Sequence, residues 1–190
     1  EFTRPLVVPG YINSLSQTLL KLISPGVPDI YQGCEVWDNS LVDPDNRRAV
    51  DFAVRDDVLH RLEDSIDPES IMNAMATGLP KMHVIREALA LRKRKLDAFQ
   101  GGSTGDYRPM LATGRKLSHI VAFSRGKDVA VVVPRLLIGL NGEWEDTEII
   151  LGTGTWQNVM DGRSWEGAVR AADLLSVFPV ALLERIENQL

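Results

Sequence analysis

Cysteine is nearly missing from this chain: Cys34 is the single one in 190 residues. That excludes an internal disulfide and any cysteine metal cluster, and it agrees with a reducing cytosol. No apolar run approaches the ~20 residues needed to cross a bilayer, and the start EFTRPLVVPG has neither the basic opening nor the apolar centre of a signal peptide. The expectation is a cytoplasmic protein with no membrane partner. Charge of one sign is also lacking. The net charge is −5, from 21 Lys/Arg and 26 Asp/Glu spread along both halves, so nothing favours nucleic acid. The three histidines, His60, His83 and His119, lack ligand spacing and read as structural residues. No metal and no cofactor are expected, and there is no internal repeat.

What is present suffices for a sizeable core: 44% of the residues are hydrophobic, enough for one large domain or two small ones. From Tyr11 to Ile23 the residues Ile12, Leu15, Leu19, Leu22 and Ile23 recur at helical spacing and stop at Ser24-Pro25-Gly26. Val27 to Tyr31 then reads as a short strand. Asp56 and Asp57 open a helix carrying Val58, Leu59 and Leu62. Asp67-Pro68, a cap followed by proline at the first helical position, opens another that ends at Gly78 and Pro80. The strongest helix runs from Lys81 to Phe99, with Met82, Ile85, Ala88, Leu89 and Leu96 inward and Arg86, Arg92, Lys93, Arg94 and Lys95 mostly outward. Those cations read as a solvated helix end favoured by the dipole.

Composition changes abruptly at residues 100–105, QGGSTG, and short strands follow. The spacing predicts them over Tyr107–Ala112, Leu117–Ser124, Val129–Pro134, Thr147–Leu151, Trp156–Met160, Ser164–Val169 and Val177–Leu183. Asp161-Gly162 is a two-residue hairpin signal. A boundary therefore falls near residue 100, between a mostly helical part, 1–99, and an antiparallel β-sandwich, 100–190.

Chemistry concentrates between residues 25 and 53, PGVPDIYQGCEVWDNSLVDPDNRRAVDFA. An apolar run empties into a loop bearing Tyr31, Gln32, Glu35, Asp43, Asp45, Asn46, Arg47 and Arg48. In parallel α/β folds, ligands sit beyond the carboxyl ends of strands. Carboxylate, amide and guanidinium together supply the acceptors and donors that neutral sugar hydroxyls require. Against this stands a structural alternative, an ion-pair cluster that braces the loop, with Arg47 or Arg48 paired to Asp43 or Asp51. Tyr31 could stack on a pyranose or close a barrel top, and Trp37 is a second possible platform. Trp144, Trp156 and Trp165 are expected to pack within the sheets, and Cys34 to be a half-buried filler.

PGVPDIYQGCE resembles the eighth strand and loop of the catalytic (β/α)8 barrel in the α-amylase superfamily, glycoside hydrolase family 13. LVDPDNRRAVDF is similar to the maltooligosyltrehalose synthases within it, as are INSLSQTLLKLISPG, ALALRKRK, SHIVAFSR, VVVPR and PVALLE. Cys34 stands where Thr is usual and Ala49 where Pro is usual. The resemblance implies an α+β chain: the last helices and eighth strand of the barrel, then the β-sandwich. It implies part of an intramolecular transglucosylase that converts the reducing-end α-1,4 link of a maltooligosaccharide substrate into an α,α-1,1 link. The family's catalytic carboxylates follow earlier strands, so none is assigned here, and the eight loop residues are candidates for binding sugar. The implied partner is the N-terminal remainder of the barrel. Without it the chain should be inactive, and Val27–Tyr31 should be disordered, repacked or paired with another copy. The alternative is a non-catalytic carbohydrate-binding or structural C-terminal module of another enzyme of the superfamily.

Overall fold

The computed structural model describes residues 1, 3–41, 43–63, 67–100 and 105–186. Helix α1, Arg4–Ile23, is followed by α2, Phe52–Glu63, α3, Pro68–Asn73, and α4, Leu79–Arg94. Among the described residues nine strands come next: β1 Tyr107–Pro109, β2 Ala112–Thr113, β3 Ile120–Arg125, β4 Val129–Pro134, β5 Glu148–Ile150, β6 Thr155–Asn158, β7 Ser164–Trp165, β8 Ala168–Arg170 and β9 Ala181–Ile186. Two single-turn helices, α5 Leu137–Leu140 and α6 Ala171–Leu174, interrupt them. The strands form two antiparallel sheets, one in the order β1-β3-β4-β9-β6-β7 and one in the order β2-β5-β8.

Side-chain alternation on the larger sheet explains the layering. Val129, Val131 and Val133 of β4 face one way and share a buried cluster with Leu15, Leu19, Leu22, Ile85, Ala88 and Leu91 of α1 and α4. Ala130 and Val132 face the other way and pack with Ile149 and Val169 of the smaller sheet. β4 is therefore buried on both faces, which is why VAVVVP reads as an unbroken apolar run rather than an alternating one. Helices cover one face of the large sheet and the small sheet covers the other. Each fully buried leucine contributes about 1.5–3 kcal/mol relative to exposure. Buried Ser16 ties α1 to the sheet by donating to the Pro134 carbonyl at 3.1 Å.

Several expectations change. No strand forms over Val27–Tyr31: the segment is irregular, with Val27 97% exposed. A strand of a parallel barrel takes its backbone partners from both neighbours, and none of the described residues supplies them. Helix α1 begins at Arg4 rather than Tyr11, with Pro5 in its first turn and Pro9 inside. Pro9 forfeits one backbone bond and the helix continues past it. Helix α2 begins at Phe52, because Asp51 and not Asp56 accepts the Val54 N–H. Asp67 does cap α3, accepting from Glu69 N at 2.9 Å and Ser70 N at 3.1 Å. Helix α4 starts two residues early and ends at Arg94, so Leu96 falls beyond it, 56% exposed, and Leu89 lies on the helix's outer face, 44% exposed.

Arg86 and Arg92 are not free surface cations. Arg86 donates to the Leu62 carbonyl, and Arg92 Nη1 donates to the Leu22 carbonyl at 2.6 Å. Two expected strands are each split between the sheets: Tyr107–Ala112 becomes β1 and β2, and Ser164–Val169 becomes β7 and β8. The turn at Asp161-Gly162 is longer than two residues. The Asn158 carbonyl accepts from both Asp161 N and Gly162 N, and Asn158 N donates to the Arg163 carbonyl. Residues 101–104 of the expected boundary lie outside the described residues.

Candidate functional site

The loop after Tyr31 divides into two halves with different anchorage. In the first half, Arg55 of α2 acts as the brace: its Nε reaches Glu35 at 3.2 Å, Nη1 donates to the Asp51 carbonyl at 2.8 Å, and Nη2 donates to the Gly33 carbonyl. Val36 is buried against Gly78, whose φ of +84° lets the two chains meet; a Cβ there would fall 2.6 Å from Val36 Cβ. Trp37 donates from its indole N–H to the Met75 carbonyl and stacks on Tyr11 with ring centroids 4.7 Å apart. One face of Trp37 is thus already covered by protein. Lys81 of α4 donates to the Val36 carbonyl at 3.0 Å, and burial pushes its ammonium pKa below the ordinary value.

The second half, residues 41–48, pairs with itself. Arg47 grips Asp43 with its fork, Nη2 to Oδ2 at 2.8 Å and Nε to Oδ1 at 2.5 Å. Arg48 pairs with Asp45, and Asp45 also accepts the Leu41 N–H at 2.8 Å. The Asp43–Pro44 peptide is cis, and Asp45–Arg47 forms one 3-10 turn. Both arginine side chains remain largely in solvent, 72% and 75% exposed. The pairing of Arg47 with Asp43 matches the bracing alternative. The side chain of Asn46 lies outside the described residues. Tyr31 and Gln32 are both exposed, Tyr31 at 53%.

Of the sequence candidates, Asp43, Asp45 and Arg48 line one open surface depression with Leu41 and Pro44, and Tyr31, Gln32, Glu35 and Arg47 are not among its lining. A neighbouring cleft of 370 Å³ does gather Trp37, Asp38 and Asn39 of the loop with Tyr11, Ser14 and Lys81. Its carboxylate, amide, hydroxyl and ammonium could bond polyol hydroxyls. Asp38 is held below the usual carboxylate range, first by its bonds from Ser40, whose N–H lies 2.9 Å away. Sequence reasoning missed Tyr11, Arg55 and Lys81, because helices distant along the chain contribute them and no local spacing signals it. Cys34 is half-buried with its thiol 3.9 Å from Asp38, in keeping with a filler. Among the described residues no group of acids, histidines and cysteine is placed to hold a metal, and no helix is long and apolar enough to cross a membrane.

Each histidine places one ring nitrogen by a backbone carbonyl, and the Nδ1 of His83 is buried without a partner among the described residues. His83 is buried, with Nε2 3.0 Å from the Met160 carbonyl and its ring 5.4 Å from Phe178. His60 and His119 each place Nδ1 by a carbonyl, of Asp56 and Leu136. A more unusual arrangement joins the helices to the sheet. Arg92 and Arg125 both lie over Phe99, at 4.5 and 5.4 Å from the ring centre, and donate to the last carbonyls of α1, Leu22 and Ile23. Two cations at a helix C-terminus satisfy its orphan acceptors and its dipole together.

No family model matches the chain. A Mycobacterium tuberculosis protein that bears the name maltooligosyl trehalose synthase is 39% identical over 174 residues, which is 91% of this chain and 20% of that protein. The chain thus spans about a fifth of the length of the curated relatives it matches. The solved maltooligosyltrehalose synthase of Arthrobacter ramosus superposes with a TM-score of 0.87 at 39% identity, over 97% of this chain and 23% of that one. Another maltooligosyl trehalose synthase structure gives 0.70 at 27% identity over 93% and 22%. Over nearly its whole length, this chain is similar to one segment of the maltooligosyl trehalose synthases.

Proposed function

We propose that the chain is the C-terminal portion, barrel end plus β-sandwich, of a cytoplasmic enzyme of glycoside hydrolase family 13. That enzyme is an intramolecular transglucosylase, which turns the reducing-end α-1,4 link of a maltooligosaccharide into an α,α-1,1 link. The observation that carries the reading is the 0.87 TM-score and 39% identity with the Arthrobacter ramosus enzyme over 97% of the chain. The chemistry asks for retention of the departed glucose while it turns over, and confinement against water decides the product. Residues 33–51 are the part of this chain suited to gripping that glucose. Their first half is braced to α2 and α4, and their second half presents Arg47 and Arg48 to solvent, each already held by a carboxylate. The nucleophile and the acid/base belong to the N-terminal remainder of the barrel, which is the chain's partner. Maltooligosaccharide turnover by the isolated 190 residues, giving trehalose ends, would refute the placement of those acids.

The self-pairing of residues 41–48 favours a second reading, a structural or carbohydrate-binding module without catalytic duty. Titration with maltoheptaose, followed by tryptophan fluorescence, separates the two roles of such a module. Saturable quenching marks binding and a flat response marks a structural cap.

A further inference from the structure

At one end of the two-sheet interior, the apolar packing gives way to a groove of 290 Å³ whose lining includes Arg108, Ser124, Lys127, Thr153 and Arg185. The strand register puts these groups on one surface. Arg108 of β1 pairs across to Ser124 of β3, and Arg185 of β9 pairs across to Trp156 of β6. All four side chains project from the face of the large sheet that packs on the small one. Lys127 comes from the β3–β4 turn, and Thr153 from the segment after β5. The lining holds three cations, two hydroxyls and no carboxylate.

Two of the nearby acids are committed elsewhere, while Asp128 shares the β3–β4 turn with Lys127 and its backbone carbonyl accepts the Arg185 backbone N–H at 2.8 Å. Glu184 pairs with Arg94 and Lys95 of α4, and Glu166 accepts from Thr155. Asp106 reaches Arg108 at 3.3 Å, but as an exposed pair, 65% and 43% open to solvent, it is a weak competitor. Arg185 is held in place by packing. A Cβ on Gly154 would fall 2.9 Å from its Nε, so the guanidinium lies close over bare backbone. Trp156 is 4% exposed and its indole N–H donates to the Gly152 carbonyl, so it cannot serve as a stacking platform for sugar. The chemistry is that of an anion.

We propose that this groove binds a phosphate group, free or esterified on a small metabolite, between the Arg108 and Arg185 guanidiniums and the Lys127 ammonium, with Ser124 and Thr153 donating hydroxyl hydrogens. Guanidinium forks match phosphoryl oxygens in pairs, and a lysine supplies a compact third charge. The opposing account is that the cations merely cap the open end of an apolar interior with their methylene stems.

Inorganic phosphate titrated into the chain at constant ionic strength, followed by amide chemical shifts, distinguishes these accounts. Saturable shifts confined to Ser124, Gly126, Lys127 and Thr153 are expected, and Arg185→Gln or Lys127→Gln should weaken binding about tenfold. Arg185→Lys keeps the charge without the fork and should bind less tightly than wild type while folding normally, as its melting midpoint will report. A hexose phosphate that binds more tightly than inorganic phosphate assigns the site to the esterified form, and equal affinity assigns it to the free ion. Non-saturating shifts overturn the proposal. So do shifts unchanged in Arg185→Gln, or equal shifts at the Arg92–Lys95 helix end.

Discussion

Arg47 holds Asp43 through two parallel contacts, 2.8 and 2.5 Å, on a loop where both side chains are mostly in water. An exposed pair of this kind is worth about 0–1 kcal/mol, however good its geometry. Arg47→Ala should therefore leave the unfolding midpoint of the chain almost unchanged. In the proposed full-length transglucosylase the same substitution should raise hydrolysis relative to isomerisation, measured as free glucose against trehalose ends. A large loss of stability with an unchanged product ratio would make Arg47 a brace and nothing more.

His83 gives the chain a pH dependence with a definite sign. Burial pushes its pKa below 6.5, outweighing the Met160 carbonyl and Glu87, which favour the charged ring, while Arg86 adds to the depression. The unfolded chain takes up a proton as pH falls through about 6.5, whereas the folded chain resists it. Stability should fall between pH 6.5 and the lower folded value and level off beneath it. Exposed His60, raised by its Asp56 carbonyl, works in the opposite direction. Urea unfolding from pH 5 to 8 should show the decline in wild type and in His60→Ala, but not in His83→Phe.

Arg125 is 5% exposed and donates to two carbonyls, Gly105 and Ile23. Lysine has the charge but not the planar fork, so Arg125→Lys leaves a buried acceptor without its partner. A cost of about 1–3 kcal/mol in chemical denaturation is expected. Phe99→Leu removes the ring beneath both guanidiniums and should cost less, because both sets of hydrogen bonds survive.

Gly78 allows a test by backbone alone. Alanine there must adopt φ near +84° and also meet Val36 Cβ at 2.6 Å. Gly78→Ala should destabilise by more than about 1 kcal/mol. Pairing it with Val36→Gly, which removes that Cβ, should recover part of the steric loss, and an additive double mutant would refute the contact.

The sequence was most legible where period and punctuation agree. Leu15, Leu19, Leu22 and Ile23 mark the buried face of α1, and VAVVVP marks β4 to the residue. Asp67-Pro68 announces α3 because its cap is local. Contacts remote along the chain left no such trace. Nothing in the spacing shows that Arg92 and Arg125 meet over Phe99, or that Arg55 reaches back to Gly33 and Glu35. The outward turn of Leu96 follows from the end of α4 at Arg94, a boundary set by tertiary packing. Val27–Tyr31 carries a strand pattern without the neighbours that would make it one. Of the candidate site, the sequence supplied the residue types, and the structure added their mutual pairing.

From β1 to β9 the chain passes between the two sheets six times, entering the small one separately for β2, β5 and β8, and this has a consequence for the order of assembly. No two adjacent members of the β2-β5-β8 layer are joined by a hairpin: each is a partner from a distant part of the chain. That layer cannot nucleate by itself and must wait for its scaffold, since loop closure over such separations costs entropy before any contact repays it. Amides of Ile149 and Val169 should therefore exchange with solvent sooner than those of Val131 and Leu182, although both pairs are equally hidden from water in the finished fold.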